Sequence, residues 1–84
     1  MSIFDDRGKT TEYKGKHYPS WHGSPFDRGM ADSYYQRGES PHYWPEGTSK
    51  GTKVEEKNMT PGEVEAYQAG FAYNEELGDY KKWD

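Results

Sequence analysis

The stretch RGMADSYY, residues 28–35, has a near match in AGFAYN, residues 69–74. In both, a glycine is followed by an apolar residue and an alanine, and large side chains come next. Each stretch lies downstream of a helix-start pattern, which is SPFD at residues 24–27 and TPGE at residues 60–63. We therefore predict two helices that meet through these glycines and alanines and bury tyrosine and phenylalanine between them.

The residues at both helix starts favour capping. Ser24 is a good N-cap, and Pro25 suits the first helical position because an N–H there would have no partner within the helix. Thr60 and Glu63 have the spacing of a capping box, in which each side chain bonds the backbone N–H of the other residue. Both helix starts are thus predicted from local signals.

Gly70 falls in the middle of the second predicted helix, where glycine costs about 1 kcal/mol relative to alanine. Glycine at a position with this cost indicates that another backbone approaches closely there. We expect that backbone to be the first helix near Gly29. Gly38 and Gly78 are expected to end the two helices, since glycine readily adopts the left-handed conformation of a C-terminal cap.

The chain has few aliphatic side chains with which to build a core. Its Leu, Ile, Val and Phe residues number only seven, a fraction that normally indicates disorder. Fourteen aromatic residues and a net charge of only −4 argue against full disorder, since a buried aromatic removes about 150–250 Å² from water. We expect a marginally stable aromatic core that a partner or a second copy of the chain supplements.

These patterns predict a mainly α fold, with a small two-helix domain in residues 24–84. Residues 1–23 contain glycines and a proline at short intervals, so we expect an extended or disordered, flexible N-terminal tail. Residues 39–59 form a long connecting loop with prolines and large aromatics, and a loop of this length often has a function. Within it, residues 52–56 weakly indicate a short extended segment.

The composition excludes several classes of protein. The chain contains no cysteine, so disulfides and cysteine-based zinc sites are excluded. No apolar run approaches the ~20 residues of a membrane span, and the N-terminus lacks a signal-peptide pattern, so we expect no membrane association and a cytoplasmic location. Residues 60–84 carry six acids and two lysines, which predicts a solvated helix face or a surface for a basic partner.

The sequence shows few patterns of residues that are typical of a catalytic site. The histidines, His17, His22 and His42, fall in predicted loops without metal-binding spacing, and the sequence has no phosphate-binding glycine loop. The paired acids at residues 55–56 and 75–76 are adjacent in sequence, so their side chains diverge on a helix. We expect a non-enzymatic protein with no metal or other cofactor.

The best functional candidate is a cluster in which aromatic residues are interspersed with arginine and histidine. Its members are Tyr34, Tyr35, Arg37, His42, Tyr43 and Trp44. Such residues dominate binding hot spots at protein interfaces, and they can also stack single-stranded bases. The alternative is that they form the core. Between the two kinds of partner we favour a protein, because the negative net charge weakens attraction to phosphates.

Residues 27–37, 41–44 and 65–75 together resemble a family of small proteins from tailed bacteriophages and prophages. The resemblance implies a viral accessory protein that acts in the bacterial cytoplasm, and it implies no particular activity. A weaker similarity links six positions to ribosome modulation factor: Gly29, Ala31, Pro41, Tyr43, Gly70 and Phe71. That family is strongly basic, as ribosome binding requires, whereas this chain is acidic.

Three functional hypotheses follow from these observations. The first is a non-enzymatic phage accessory protein that binds and modulates a bacterial host protein. The second is a ribosome- or RNA-binding module that uses Arg28, Tyr35, Arg37, His42 and Trp44. The third is a virion or assembly component. Each of them is compatible with a homo-oligomer.

Overall fold

Two α-helices and two small antiparallel sheets make up residues 8–82, the part of the chain that the computed structural model describes. In chain order the elements are strand β1 (Thr10–Tyr13), strand β2 (Lys16–Pro19), helix α1 (Pro25–Tyr34), strand β3 (His42–Tyr43), strand β4 (Val54–Glu55), a 3-10 turn (Glu56–Asn58) and helix α2 (Pro61–Leu77). β1 pairs with β2, and β3 pairs with β4. The predicted mainly α class is therefore wrong, because the fold is a mixed α/β arrangement.

The N-terminal segment, which we predicted to be an extended or disordered tail, contains one of the two hairpins. Strands β1 and β2 pair antiparallel, so that Thr11 lies opposite Tyr18. The two-residue turn Lys14-Gly15 has positive φ at both positions, 52° and 80°, and this backbone matches the twist of the flanking strands. Residues 10–19 therefore form a hairpin and not an extended or disordered segment, because the chain reverses at this turn. Residues 1–7 lie outside the described part of the chain.

Aromatic rings hold the first hairpin against the helices. The Tyr18 ring stacks on the Phe26 ring with centroids 5.4 Å apart, and the Tyr13 ring meets the Tyr73 ring edge-on at 5.8 Å. Tyr18 is 8% exposed and Phe26 is fully buried. Pairs of this kind stabilise by about 0.5–1.5 kcal/mol beyond the area that they bury. The predicted aromatic core is present, and the hairpin supplies part of it.

Helices α1 and α2 cross at the two glycines, as the sequence predicts. A Cβ atom on Gly29 would overlap the carbonyl oxygen of Tyr67 and would lie 2.8 Å from the backbone nitrogen of Phe71. A Cβ atom on Gly70 would overlap the carbonyl oxygen of Phe26 and would lie 2.8 Å from its carbonyl carbon. Each glycine thus admits the backbone of the opposite helix, which explains a glycine in the interior of α2.

The predicted caps are present at both helix starts. Ser24 Oγ accepts the N–H of Asp27 at 3.3 Å, and the Asp27 carboxylate accepts the N–H of Gly23 at 2.9 Å. Thr60 and Glu63 form the full capping box, with N–H···O distances of 2.8 and 3.2 Å. These bonds satisfy backbone donors that the helices cannot satisfy internally.

The end of α1 differs from the prediction, whereas α2 ends at its predicted glycine with a φ of 68°. α1 ends at Tyr34, ahead of Gly38, because Gln36 takes the left-handed conformation with a φ of 58°. The N–H of Arg37 then bonds the carbonyl oxygen of Asp32 at 2.9 Å. This is a Schellman ending with glutamine in the usual place of glycine, and it brings residue 37 back beside residue 32.

Polar side chains also lie between the two helices. Asn74 donates to Ser33 Oγ at 2.9 Å, and the Ser33 hydroxyl donates to Glu75 at 2.5 Å. Asn74 donates as well to the carbonyl oxygen of Asp79 at 2.8 Å. These bonds attach the segment after α2 to both helices.

Candidate functional site

The structure divides the six residues of the predicted binding cluster among three places. Arg37, His42 and Trp44 line one cavity, and Tyr43 lines another. The two consecutive tyrosines at the end of α1 contact each other edge to face, with ring centroids 4.9 Å apart. The six residues therefore do not line a single cavity.

Strand β3 explains why neighbours in sequence separate. Successive side chains of a strand point to opposite faces, so His42 and Trp44 lie on one side and Tyr43 on the other. The N–H of Trp44 donates to the carbonyl oxygen of Gly23 at 2.7 Å. A Cβ atom on Gly23 would lie 2.7 Å from the carbonyl oxygen of Trp44. The loop after β3 is thus held closely against the start of α1.

The cavity on the Trp44 side, which we call the basic cavity, has a volume of about 420 Å³. Its charged lining comprises Arg28, Arg37, Lys53 and Asp32. Trp44 and His42 contribute the aromatic part of the wall. The excess of positive charge here is opposite in sign to the net charge of the chain, which is −4.

The sequence pattern did not identify Lys53 as a site residue. Strand pairing places His42 opposite Glu55 and Tyr43 opposite Val54. Continuing this register by one position brings Lys53 beside Trp44. The weak extended segment at residues 52–56 was the available signal, but nothing local indicated that it pairs with the aromatic segment before it.

Asp32 is the buried carboxylate in the wall of the basic cavity, with 3% of its surface exposed. Arg37 Nε donates to its Oδ1 at 3.0 Å, and Arg37 Nη2 lies 3.0 Å from the same oxygen as an ion pair. The Tyr67 hydroxyl donates to Oδ2, and His42 Nδ1 lies 3.7 Å from that oxygen. The negative charge of Asp32 is therefore compensated from several sides, and Arg37 is fixed in place.

Tyr67 is fully buried on α2, and its hydroxyl has two partners. It donates to Asp32 and accepts the N–H of Ser40 at 2.8 Å. Burial and the hydrogen bond to the Asp32 carboxylate raise the pKa of Tyr67 well above its ordinary value. The hydroxyl therefore remains a donor around neutral pH, and it connects α2 both to α1 and to the loop before β3.

The protein is expected to lose stability above about pH 10 because of Tyr67. The unfolded chain releases this proton near the ordinary pKa of 10.0, whereas the folded protein retains it. Below that pH the tyrosine is neutral in both states, so its contribution is fully present. At higher pH only the unfolded state is stabilised by releasing the tyrosine proton. The free energy of unfolding therefore falls by about 1.4 kcal/mol per pH unit for this group.

Urea unfolding between about pH 8 and pH 11 measures this decline. Tyr67→Phe should show a shallower decline than the wild type over the same range, because phenylalanine has no proton to release. Equal slopes for the two proteins would contradict the role assigned to Tyr67.

Arg28 connects α1 to the loop that closes the basic cavity. Its Nη1 donates to Thr48 Oγ1 at 3.2 Å, and Asp27 Oδ2 lies 3.7 Å from the same nitrogen. Its Nε is buried without a hydrogen-bond partner. Within residues 8–82 it is the one buried side-chain nitrogen or oxygen that lacks such a partner. Arg28 thus carries an unused donor.

An exposed pair of residues adjoins the basic cavity. Tyr35 is 39% exposed, and the guanidinium carbon of Arg37 lies 4.8 Å from the centroid of its ring. Such a cation–π contact stabilises by about 0.5–1 kcal/mol at an exposed position. Because Arg37 also lines the basic cavity, the pair and the cavity form one continuous face.

Tyr43 belongs to a smaller cavity of about 320 Å³ on the other side of β3. Trp21, Pro25 and Ala66 lie in the same lining. Burial and a hydrogen bond with the Glu63 carboxylate raise the pKa of Tyr43. Tyr43 therefore links β3 to the first turn of α2 and is separate from the Trp44 side.

Neither helix in the described part of the chain is long and apolar enough to cross a membrane. The resemblances to phage proteins and to ribosome modulation factor rest on the sequence pattern and stay predictions. A scan against protein-family models and searches of curated proteins and of solved structures found no match to this chain.

Proposed function

We propose that this chain is a non-enzymatic accessory protein of a tailed bacteriophage or prophage, and that it binds and modulates a host protein in the bacterial cytoplasm. The observation that carries the proposal is the continuous face of basic cavity and exposed pair. We call it the Trp44 face, and it consists of Tyr35, Arg37, His42 and Trp44. Tryptophan, tyrosine and arginine contribute most of the binding energy at protein interfaces.

Two polar groups in the wall of the basic cavity, the Asp32 carboxylate and His42 Nδ1, take part in structural bonds, which supports binding rather than catalysis. The Asp32 carboxylate accepts from Arg37 and Tyr67, and His42 Nδ1 lies 2.8 Å from the carbonyl oxygen of Ser40. A general acid or base must reach a substrate proton. Here the carboxylate and this ring nitrogen are occupied by neighbours within the protein.

Charge supports a protein partner over a nucleic acid. The chain as a whole is negative, and six acids against two lysines lie in residues 60–84. A nucleic acid is attracted mainly through its phosphates, so this field opposes its approach. A protein can present acidic groups to the basic cavity and basic groups to the acidic C-terminal third, which makes its surface complementary to both.

An affinity-tagged chain is expected to retain one host protein from a bacterial lysate at about one-to-one stoichiometry. Trp44→Ala should weaken that complex about 30-fold, because loss of a hot-spot side chain costs about 2 kcal/mol. Quantitative mass spectrometry identifies the retained protein, and titration with the purified partner measures the affinity.

His17→Ala is the matched control for this experiment. His17 is exposed on strand β2, lies outside residues 60–84 and lines neither cavity described above, so its substitution should leave binding unchanged. Thermal unfolding of both variants separates lost binding from lost folding. Recovery of no stoichiometric host protein, or equal affinity of wild type and Trp44→Ala, would contradict the proposal.

A ribosome- or RNA-binding role is the second candidate. It is favoured by the combination of cations with Trp44, on whose ring a base can stack. Co-sedimentation with ribosomes tests it, together with a salt titration of RNA binding. Phosphate contacts release counterions, so affinity must fall steeply as salt increases. Absence of salt-dependent RNA binding would remove this candidate.

A further inference from the structure

The smaller cavity beside β3, which we call the Tyr43 cavity, is lined mainly by apolar residues and contains one carboxylate. Its volume of about 320 Å³ is at the lower end of the range for small-ligand sites, about 300–1,000 Å³. A single side chain of a partner therefore suits it. The apolar part of the lining comprises Pro19, Trp21, Pro25, Tyr43 and Ala66, and Glu63 is the charged residue among the described members of the lining.

The negative charge of Glu63 is not neutralised within the described part of the chain. Its Oε1 accepts the N–H of Thr60 at 2.8 Å, and its carboxylate also binds the Tyr43 hydroxyl. Both partners are neutral, and no lysine, arginine or histidine within residues 8–82 forms an ion pair with Glu63. Because a carboxylate offers about four acceptor sites and Glu63 is only partly buried, a donor in the cavity can reach it.

The aromatic residues of the Tyr43 cavity add to its preference for a cation. Trp21 and Tyr43 are both partly buried there. The face of an aromatic ring carries partial negative charge and attracts a cation within about 6 Å of the ring centroid. The carboxylate and the rings therefore act in the same direction, and the lining as described contains no positive side chain that would oppose them.

We infer that the Tyr43 cavity receives an arginine side chain of the partner protein. The guanidinium binds the Glu63 carboxylate and the aromatic rings, and the aliphatic stem packs on the proline rings of the lining. Arginine suits this site better than lysine, because a guanidinium is planar, stacks on aromatic rings and is more weakly hydrated than an ammonium. The inference rests on the proposed function, since it names a group by which that partner binds, at a contact separate from the Trp44 face.

Three blocked peptides titrated into the full chain test the inference. They are GSRSG, its lysine counterpart GSKSG, and the same peptide with citrulline, which has the shape of arginine but no charge. The indole N–H signal of Trp21 in proton–nitrogen NMR spectra reports on the cavity. We expect GSRSG to shift this signal in a saturable way and to bind about tenfold or more tightly than the citrulline peptide, the effect of one hydrogen bond between charged groups. GSKSG should bind more weakly than GSRSG.

The variant Glu63→Gln locates the bound cation. Glutamine also completes a capping box, so α2 keeps its start while the cavity loses its charge. The variant should weaken GSRSG binding about tenfold and leave binding of the citrulline peptide unchanged. Glu12→Gln is the matched control, because it makes the same change at an exposed position of β1 outside the lining and should leave GSRSG binding unchanged. Circular dichroism verifies that both variants fold, and the citrulline comparison in the wild type needs no variant.

The outcomes separate this inference from the proposed function. Absence of a saturable shift with GSRSG, equal affinities for GSRSG and the citrulline peptide, or binding that Glu63→Gln leaves unchanged overturns the arginine site. Tighter binding of GSKSG overturns the choice of arginine, and a Trp21 signal that moves on dilution of the protein alone overturns the site in favour of a second copy. Capture of a host protein that depends on Trp44 would survive each of these results. Binding of GSRSG that Glu63→Gln weakens, without any captured host protein, would support the site and contradict the proposed function.

Discussion

Replacing Gly70 by alanine is expected to remove a large part of the protein's stability. The new Cβ would overlap the carbonyl oxygen of Phe26 and would lie 2.8 Å from the carbonyl carbon, and both are backbone atoms that cannot rotate away. Helix α1 would have to move, which exposes Phe26 and Tyr67, the two largest fully buried side chains. We expect a loss of at least about 3 kcal/mol, from a total of about 4–12 kcal/mol for a chain of this length. Urea unfolding followed by circular dichroism measures it.

Gly62→Ala is the matched control on the same helix. A Cβ atom there would meet only Thr60 Oγ1, at 4.0 Å, so alanine fits without displacement. Alanine in place of glycine in a helix stabilises by up to about 1 kcal/mol. The two substitutions are chemically identical and should have opposite effects. Unchanged thermal stability of Gly70→Ala would show that the helices do not cross at these glycines.

The helices and their crossing were predictable because their signals are local. Ser24 and Thr60 mark the starts within a few residues, and a mid-helix glycine has a cost that only a close neighbour explains. The end of α1 was not predictable in this way. Gln36 adopts a conformation that glycine usually supplies, and the local sequence therefore favours Gly38 as the stop.

The two hairpins were not predictable because their signals are non-local or weak. The turn Lys14-Gly15 lacks the Asn-Gly or Asp-Gly pair that typically marks a two-residue turn. β3 and β4 have two residues each, and ten residues separate them. Two residues are too few to show the alternation that identifies a strand. Pairing between such segments is decided by the packing around them, not by their own composition.

The candidate site was predictable in part for the same reasons. Arg37, His42 and Trp44 were selected as a cluster of interface-type residues and do line one cavity. Tyr43 was placed with them because sequence proximity does not show which face of an unrecognised strand a side chain occupies. Lys53 joins the cavity only through the pairing of β3 with β4.

Asp32→Ala is expected to destabilise the protein by about 3 kcal/mol. The substitution leaves the buried hydroxyl of Tyr67 without its acceptor and the Arg37 guanidinium without its carboxylate. Breaking a buried charged pair by removing one partner costs about 3–5 kcal/mol. The lower value applies here because the Arg37 side chain is 50% exposed and can be solvated. Urea unfolding at neutral pH measures the loss.

Asp79→Ala is the control for loss of a carboxylate, because Asp79 is exposed and contributes its backbone carbonyl, not its side chain, to the bond with Asn74. Its effect should stay within about 0.5 kcal/mol. A comparably small effect of Asp32→Ala would contradict the role assigned to Asp32.

A double-variant cycle tests whether Asp32 and Tyr67 act as one unit. Tyr67→Phe alone should cost about 1.5–3 kcal/mol, since it removes one donor to the Asp32 carboxylate and the acceptor of the Ser40 N–H. Combined with Asp32→Ala it should cost less than the sum, by about 0.5–3 kcal/mol, because phenylalanine no longer buries an unpaired hydroxyl beside the alanine. Additive losses would mean that the two residues are energetically independent. We argue that Asp32 fixes Arg37 in the wall of the basic cavity because Tyr67 holds Asp32 in place. Additivity would contradict that dependence on Tyr67.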